Sequence, residues 1–277
     1  MNFEPMSCTY IDHMGSDLMV ANAARVSFDK ESDWDMSFHE EIDPDTRTAT
    51  PITTKTLKNS DVGLLKYLAL GFRTDEWSEL IYQIQTAPDM QTASDILLRV
   101  KRSATHWAPF AHPHLSVRCV APVFVARQLV KHQIGLTWSE VSRRYVDSDP
   151  TYYDPELWHL RPEANIKQGA GSVIDPESTE GRLISDMMVD AVHASDAIYK
   201  MMLQSGVAPE EARMVLPLNA MVTWVWTGSL LAFCRVLQQR LDGHAQTASR
   251  EFAGQLADIV QEKFPVSFDM LCGSIKI

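Results

Sequence analysis

A short cationic segment of this sequence carries the residue types that bind anions. Residues 127–144 contain four cations, Arg127, Lys131, Arg143 and Arg144, and one carboxylate, Glu140. Four positive charges and one negative charge leave +3 in a 277-residue chain whose formal net charge is -11. An acidic protein repels anions overall, so it binds one only where several cations lie close together. The segment therefore predicts a local pocket for an anionic group such as a phosphate. An ordinary solvated helix face explains the same charges equally well.

A second cluster lies near the C-terminus, in RLDGHAQTASR. On a helix, Arg240, His244 and Thr247 stand at positions i, i+4 and i+7 and share one stripe beside an apolar face. A guanidinium next to a buried face is partly desolvated, so its charge stabilises an anion more strongly than it does in water. A surface arginine that lies over its own helix is the alternative.

Three histidines, His106, His112 and His114, stand close together in HWAPFAHPH. No ordered ligand spacing such as HExxH accompanies them, so stacking or hydrogen bonding is favoured and no metal site is predicted. The chain also lacks a GxxxxGK[ST] motif, a GxGxxG motif after a strand and a GxSxG nucleophile elbow. Neither a P-loop nucleotide hydrolase nor an elbow-type hydrolase is supported.

Composition limits the class of protein. Hydrophobic residues make up 45% of the chain, enough for a packed core, and the acidic net charge argues against bulk nucleic-acid binding. The four cysteines form no close pair and the N-terminus lacks an apolar signal-peptide core, which predicts a cytoplasmic location. The mostly apolar stretch 214–234 is the one candidate membrane span. Its proline and polar interruptions favour a buried helix, so no membrane partner is predicted.

Hydrophobic periodicity predicts the elements that position these residues. Residues 114–120 alternate in polarity and predict a half-buried strand, which leads through Pro122, at the first helical position, into a helix over 123–133. Further helices are predicted over 60–72, 76–85, 91–102, 182–204, 209–216 and 219–263, the last with a break. Irregular surface structure is predicted over 29–60 and 147–175. The patterns therefore favour one mainly helical α+β domain over 1–277, with insertions near 29–105 and 147–205.

Five segments, in this order, resemble the flavin-dependent thymidylate synthase family. They are AARVSF at 23–28, HWAPFAH at 106–112, VFVARQLVKHQIGLTWSEVSRRY at 123–145, EARMVLPLN at 211–219 and RLDGHAQTASREFA at 240–253. In the third segment, Lys131-His132-Gln133 stands where the family has an Arg-His-Arg triplet, and eight residues separate it from Ser142.

The resemblance implies a reaction, its cofactors and an assembly. The reaction is the reductive methylation of dUMP to dTMP, with methylenetetrahydrofolate as carbon donor, FAD as hydride carrier and NADPH as reductant. The fold implied is α+β with a central antiparallel or mixed sheet, in a homotetramer whose active sites form where subunits meet. Neither nucleic acid nor membrane is among the implied partners.

The resemblance also assigns residues to the two halves of the site. The nucleotide-binding set is Gln128, Lys131, Glu140, Ser142, Arg143, Arg144, Arg213 and Arg240, with Arg213 coming from another subunit and with Arg240 and Ser142 as the catalytic pair. The flavin-binding set is Ser27, His106, Lys131, His132, Gln133, Glu140, Ser229 and Arg235.

Arg240 has the chemistry that the implied reaction requires. Uracil C5 is a weak nucleophile, and the resemblance implies that it is activated by positive charge and not by a cysteine thiolate. A guanidinium is always protonated, so in a water-poor site it stabilises an enolate-like ring without moving a proton. The four cysteines, Cys8, Cys119, Cys234 and Cys272, lie outside the matched catalytic segments and are predicted to be structural.

The flavin half of the site departs from the family pattern. Lys131 keeps the charge of an arginine without its fork, and Gln133 has no charge. Gly228-Ser229-Leu230-Leu231 replaces an Asn-x-Arg stretch, and Ala108 replaces a hydroxyl residue. Two alternatives therefore stay open: a pyrimidine nucleotide hydroxymethylase on the same fold, and a catalytically silent nucleotide- or flavin-binding homologue. If a phage encodes the chain, the location is the host cytoplasm.

Overall fold

A computed structural model describes residues 1–42, 47–72, 74–101, 105–163 and 169–273. The chain divides into two compact units. The first contains Met1–His13 and Leu115–Val260, and the second contains Met14–His114 and a segment that begins at Gln261. We call them the sheet unit and the helical unit and describe each by itself.

The described elements are strands and helices in nearly equal number. The strands are β1 (Asn2–Phe3), β2 (Ser7–Met14), β3 (Asp35–Ile42), β4 (Ala49–Thr56), β5 (His114–Pro122), β6 (Leu136–Glu140), β7 (Thr151–Tyr152) and β8 (Met221–Ser229). The α-helices are α1 (Asp17–Arg25), α2 (Asn59–Leu70), α3 (Thr74–Gln85), α4 (Met90–Lys101), α5 (Val123–Leu129), α6 (Thr179–Gln204), α7 (Pro209–Ala212), α8 (Leu230–Arg240), α9 (Thr247–Lys263) and α10 (Pro265–Cys272). Short 3-10 helices cover Val26–Phe28, Ala108–Ala111 and Arg213–Val215. The predicted mixture of helix and sheet is confirmed.

A four-stranded sheet in the order β2-β5-β8-β6 is the framework of the sheet unit. β6 runs antiparallel to β8, with Leu136 opposite Gly228 and Glu140 opposite Trp224. Trp224 is buried and its ring lies 5.6 Å from the ring of Phe252 on α9. The core of the sheet unit thus includes the contact between β8 and α9. β6 lies at one edge of the sheet.

The helix predicted over 219–263 is wrong in its first part, because Met221–Ser229 is strand β8. The buried helix predicted over 214–234 is wrong over the same residues and is confirmed only over Leu230–Cys234, the buried start of α8. Trp224 and Trp226 are buried while Val225 and Thr227 are half-buried, which is the two-residue period of a strand, and β-branched and aromatic residues favour that conformation. A strand with no exposed residue on either face has a nearly continuous apolar sequence, which also fits a buried helix. Within the described ranges, no helix is both long enough and apolar enough to cross a membrane.

The irregular structure predicted over 29–60 is also wrong in part. β3 and β4 form an antiparallel hairpin, with Asp35 opposite Thr56 and Ile42 opposite Ala49. The threonines that suggested a loop are β-branched residues, which fit an extended backbone. Residues 43–46 of this segment lie outside the described residues. The loop predicted over 147–175 holds only the two-residue β7 and a bridge between His159 and Val173, and its residues 164–168 are likewise not described.

Two predictions about the chemistry-bearing helices need correction. The helix predicted over 123–133 ends at Leu129, and Pro122 caps it from the last position of β5. The chain must reverse before β6 begins at Leu136, so Lys131, His132 and Gln133 lie in a turn. The stripe predicted for Arg240, His244 and Thr247 is wrong, because α8 ends at Arg240 and α9 begins at Thr247.

Other predicted elements are confirmed. The strand over 114–120 is part of β5, with Leu115, Val117 and Cys119 buried on one face. The helices predicted over 60–72, 76–85, 91–102 and 182–204 correspond to α2, α3, α4 and α6 within a few residues, although position 102 lies outside the described residues. The segment 209–216 contains the short helix α7 and a 3-10 turn.

The helical unit packs α10 and α1 on α2 around buried Leu65, Leu68 and Phe268. Asp17, at the start of α1, is buried, and its carboxylate accepts hydrogen bonds of 2.9 Å from the backbone N–H groups of Val266 and Ser267. It therefore caps the N-terminus of α10 from outside that helix. Burial raises the pKa of Asp17, and the hydrogen bonds oppose that effect.

Candidate functional site

The turn that carries Lys131, His132 and Gln133 is held against the end of β8 by close backbone packing. Gly135 has φ +76°, a conformation that favours glycine, and the backbone N–H of Ser229 donates to its carbonyl at 3.1 Å. A Cβ on Gly228 would lie 2.5 Å from the carbonyl oxygen of Gly135. The glycine at position 228, which departs from the family pattern, is therefore required for the two segments to meet.

Arg240, the last residue of α8, is fixed by two acceptors on the α5 side of the sheet unit. Its Nε donates to Nε2 of His132 at 3.1 Å, and its Nη2 donates to the backbone carbonyl of Gln128 at 3.3 Å. Burial, and then the charge of Arg240, lower the pKa of His132. The imidazole is therefore neutral and accepts the hydrogen bond, so Arg240 keeps its full positive charge.

The side chain of Gln128 links α5 to the start of α9. Its Nε2 donates to Oε1 of Gln246, and its Oε1 accepts a hydrogen bond of 3.1 Å from the hydroxyl of Ser249. Both partners lie in the RLDGHAQTASR segment that the sequence singled out, although neither was named there. Gln128 and Arg240, which were predicted to bind the same nucleotide, are thus brought together by direct contacts.

A basic pocket of about 320 Å³ lies on one side of Arg240. It is lined by Lys131, His132, Gln133, Ile134, Leu136, Ala232, Arg235, Gln239 and Arg240. The lining contains three cations and no carboxylate, and within the described residues neither Lys131 nor Arg235 forms an ion pair. Four of the predicted flavin contacts, Lys131, His132, Gln133 and Arg235, therefore share one pocket.

A second opening, the Arg240 cleft, has a volume of about 600 Å³. Its lining consists of Gln128, Gly169, Gln238, Gln239, Arg240, Asp242, His244, Ala245 and Gln246. The side-chain amides and Arg240 offer both donors and acceptors for a polar ring. Because Arg240 and Gln239 also line the basic pocket, the two openings adjoin.

A third cavity, the Ser142 pocket, has a volume of about 460 Å³. It contains four predicted nucleotide contacts, Glu140, Ser142, Arg143 and Arg213, and an apolar wall of Val123, Leu216, Pro217, Leu218 and Met221. Two arginines and a hydroxyl group suit a phosphate. Arg144 lies beside this pocket, where its backbone N–H donates to the Ser142 hydroxyl at 3.3 Å.

Glu210 orients two of these arginines. Its carboxylate lies 3.5 Å from Nε of Arg144, and its backbone carbonyl accepts a hydrogen bond of 3.2 Å from Nε of Arg213. The guanidinium of Arg144 also lies 5.2 Å from the ring centroid of Tyr145. The acidic partner is exposed and holds Arg144 only weakly, so this cation can turn toward a ligand.

The Ser142 pocket and the Arg240 cleft are separate in one chain. The Ser142 pocket shares no lining residue with the Arg240 cleft. It also shares none with the basic pocket. The structure therefore brings the predicted nucleotide contacts together as two groups, Gln128 with Arg240 and Glu140 with Ser142, Arg143 and Arg213. Arg213, which was predicted to come from another subunit, lines the same pocket as Ser142 of its own chain, so that prediction needs correction. Lys131 belongs to the basic pocket.

Three predicted flavin contacts have other surroundings. Ser229 is buried and its hydroxyl caps α8 by accepting from the Ala232 N–H at 3.3 Å. In the helical unit, Ser27 is exposed in a 3-10 turn, and the His106 ring lies 5.5 Å from the Tyr67 ring at an angle of 31°. Among the described residues, no three His, Cys, Asp or Glu side chains are grouped as metal ligands.

Trp138 is a site-adjacent residue that sequence reasoning missed. Its ring stacks at 4.2 Å on Trp224, and its Nε1 donates to the Glu140 carboxylate at 3.0 Å. A tryptophan on a short strand, between Thr137 and Ser139, carries no distinctive sequence pattern. Its contacts fix the position of Glu140 at the end of β6.

All four cysteines are buried and none forms a disulfide bond in the part of the chain that the structure describes, as expected for structural residues. Burial, together with neighbouring Cys8, raises the pKa of the Cys119 thiol. A protonated buried thiol is a poor nucleophile, so this cysteine does not supply the attacking group of the reaction.

The basic pocket, the Arg240 cleft and the Ser142 pocket combine guanidinium and ammonium groups with amides and a hydroxyl, and such a combination suits anionic ligands that bear polar rings. A sequence profile described as thymidylate synthase complementing protein matches residues 9–266. The chain belongs to this family.

Curated relatives agree with the assignment. A flavin-dependent thymidylate synthase of Thermosipho africanus is 32% identical over 164 residues, covering 59% of this chain and 70% of the relative. A flavin-dependent thymidylate synthase of Thermus thermophilus is 32% identical over 163 residues, covering 59% and 58%. The crystal structure of the UMP/dUMP methylase PolB of Streptomyces cacaoi, bound with 5-Br dUMP, superposes with a TM-score of 0.68 at 20% identity over 98% of this chain and 96% of that one. This last likeness shows a shared fold.

Proposed function

We propose that this protein is a flavin-dependent thymidylate synthase that converts dUMP to dTMP with methylenetetrahydrofolate, FAD and NADPH. The observation that carries the proposal is the position of Arg240, held by His132 and the Gln128 carbonyl between the basic pocket and the Arg240 cleft. Family membership supports the same reaction.

In this proposal Arg240 activates the pyrimidine. A guanidinium has five N–H groups, and the two that bind His132 and Gln128 leave others for a carbonyl oxygen of the uracil ring. Negative charge that develops on the ring as C5 attacks the one-carbon unit is then stabilised by a charge already in place. Gln128 lies beside Arg240 and is held by Gln246 and Ser249, so its amide is oriented to bind the same ring.

The Ser142 pocket is the proposed phosphate site. Arg143 and Arg213 provide charge and the Ser142 hydroxyl provides a hydrogen bond, with Arg144 adjacent. Because this pocket and the Arg240 cleft share no residue in one chain, we propose that the nucleotide bridges two subunits. A homotetramer, as the resemblance implies, would provide that juxtaposition.

The basic pocket is the proposed flavin site. Three cations without a carboxylate suit the pyrophosphate of FAD, so the donor set fits the cofactor. When bound, the flavin supplies the hydride that completes the methyl group. Lys131 and Arg235 would bind phosphate oxygens, and His132 would keep Arg240 in place. Arg235 supplies a cation on α8 shortly after the stretch 228–231, which replaces the Asn-x-Arg stretch of the family. The remaining flavin contacts stay predictions: Ser27, His106, Glu140 and Ser229. A single domain with insertions and a cytoplasmic location are also still predicted.

The test is turnover by the purified protein. It should be yellow, should release FAD on denaturation, and should convert dUMP to dTMP only when methylenetetrahydrofolate and NADPH are both present. Absence of flavin together with absence of product would overturn the proposal.

A hydroxymethylase is the second candidate, because Gln133 and the uncharged stretch 228–231 stand where the family has cations on the flavin side. Mass spectrometry of the product separates the reactions. A nucleotide heavier than dUMP by CH₂ supports the synthase, and one heavier by CH₂O supports the hydroxymethylase.

A further inference from the structure

Glu140 is a carboxylate in a pocket whose other charged groups suit an anion. It lines the Ser142 pocket together with Arg143 and Arg213, which provide the charge of the proposed phosphate site. In the part of the chain that the structure describes, Glu140 nevertheless forms no ion pair. A carboxylate paired with either guanidinium would compete with a phosphate for the same N–H groups. The carboxylate must therefore be held away from both arginines if the pocket is to bind a phosphate.

The indole of Trp138 holds this carboxylate. Trp138 and Glu140 stand two positions apart on β6, so their side chains lie on the same face of the strand. The Nε1–H of Trp138 donates to Oε2 of Glu140 at 3.0 Å. A hydrogen bond to a carboxylate is stronger than one between neutral groups. The bond thus fixes the direction of the carboxylate without a cationic partner.

Two buried tryptophans of β8 fix the indole itself. The ring of Trp138 stacks on Trp224 with centroids 4.2 Å apart and planes at 14°, and it meets the ring of Trp226 edge-on at 5.6 Å. Trp224 contacts the ring of Phe252 on α9 at 5.6 Å, and Trp226 contacts that of Phe233 on α8 at 5.4 Å. Close packing on two sides restricts the rotation of the Trp138 indole, so its N–H keeps one direction.

The two arginines of the pocket have partners that leave their charge available. Nη1 of Arg143 donates to the backbone carbonyl of Ser148 at 2.9 Å, and Nε of Arg213 donates to the backbone carbonyl of Glu210 at 3.2 Å. A carbonyl oxygen orients a guanidinium and does not neutralise it. Each guanidinium has five N–H groups, so both keep donors for a ligand.

We propose that Trp138 is a positioning residue that keeps the Ser142 pocket cationic by holding the carboxylate of Glu140 away from Arg143 and Arg213. This inference rests on the proposed function, in which the pocket binds the phosphate of dUMP. Without the indole N–H, the Glu140 side chain can rotate and pair with a guanidinium, and the phosphate then has to displace it. Trp138 acts on nucleotide affinity through Glu140 and contacts no reacting atom.

The experiment separates substrate affinity from the chemical step in purified variants of the full chain. Trp138→Phe keeps an aromatic ring against Trp224 and removes the N–H. It should raise KM for dUMP about tenfold, because a hydrogen bond to a charged group is lost, while kcat changes by less than about twofold. Glu140→Gln removes the charge that competes with the phosphate. Adding Trp138→Phe to Glu140→Gln should therefore leave KM nearly unchanged.

Trp158→Phe is the matched control, because the Nε1–H of Trp158 donates to the Ser185 hydroxyl at 3.1 Å and Trp158 does not line the Ser142 pocket. It should leave KM and kcat unchanged. An unchanged KM in Trp138→Phe, or an equal rise in Trp158→Phe or in the Glu140→Gln background, overturns the inference. A parent protein that neither binds nor converts dUMP refutes the proposed function instead, so the two failures are distinguishable.

Discussion

Arg240 illustrates how neighbouring residues preserve the charge of a functional side chain. An acidic partner would neutralise the guanidinium, whereas His132 and the Gln128 carbonyl fix its direction and leave its charge intact. In the described part of the chain, Arg240 forms no ion pair. Its charge therefore remains available to a substrate.

Replacing Arg240 tests this role. Arg240→Ala should lower kcat for dTMP formation by at least about a hundredfold, because a charge aimed at the reacting ring is lost. FAD content should stay close to that of the parent, since Lys131 and Arg235 remain in the basic pocket. Arg250→Ala is the control, because Arg250 of α9 donates to the Gly243 carbonyl, and this variant should keep most activity. Normal turnover in Arg240→Ala would refute the assignment.

Lys131 offers a gain-of-affinity test in the basic pocket. Lys131→Arg introduces a planar fork that binds phosphate oxygens in pairs, so FAD should bind as tightly or several-fold more tightly. Equilibrium titration followed by flavin fluorescence measures the change. Weaker retention of FAD would contradict the placement of its pyrophosphate at this position.

The neutral state of His132 predicts that both stability and activity depend on pH. Its pKa is lowered by burial and by Arg240, so the folded protein resists a proton that the unfolded chain accepts near the ordinary value of 6.5. Neutral His132 therefore contributes its full share to the free energy of unfolding above pH 6.5. That share is lost as the pH falls from 6.5 toward the lower pKa of the folded protein. Protonation also removes the acceptor of the Arg240 Nε–H.

Accordingly, kcat/KM should decrease on the acidic side in the parent. His132→Gln retains an acceptor and cannot be protonated, so its profile should be flatter over the same range. An identical acidic limb in the variant would show that another group is responsible.

At the scale of elements, the sequence predicted correctly the helices and strands that have a regular local pattern. It mispredicted the elements whose structure depends on contacts with distant parts of the chain. β5 was predictable because its alternation is regular and one face is half-exposed. β8 was not, since all of its residues are buried or half-buried, and a short apolar run of this kind resembles the interior of a buried helix. The break between α8 and α9 was also missed, and Gln246 and Ser249, which lie at its far side, contact Gln128 of α5, a tertiary contact that no periodicity encodes.

The same limit applies to the candidate site. The resemblance gathered the residues of the basic pocket because they lie close together in the sequence or on one helix. The neutral His132 beneath Arg240 depends on two segments more than a hundred positions apart, and so does its lowered pKa. Trp138 and Gln246 were missed because their roles are contacts and not motifs.

The cap of α10 by Asp17 allows a test of the helical unit. Asp17→Ala leaves the N–H groups of Val266 and Ser267 without their buried acceptor, which should lower the free energy of unfolding by about 2 kcal/mol. Chemical denaturation measures the difference, with exposed Asp33→Ala as the matched control. A loss no larger than in the control would show that the cap does not stabilise this unit.

At the scale of the whole molecule, the acidic chain concentrates its cations into separate pockets. The Ser142 pocket and the Arg240 cleft each hold part of the predicted nucleotide site, and neither alone matches both a phosphate and a uracil ring. A closed oligomer repeats both surfaces and can pair one with the other across an interface. Arg240 and Ser142 must serve one nucleotide site if the proposed reaction is to occur.

Co-expression of two inactive variants tests this pairing most directly. Arg240→Ala and Ser142→Ala carry different affinity tags, and two successive purifications isolate oligomers that contain both. If each site takes its two halves from different subunits, about a quarter of the randomly paired sites contain neither substitution, and dTMP formation should return to about that fraction of the parent rate. Mixed oligomers as inactive as either variant alone would contradict a site shared between subunits.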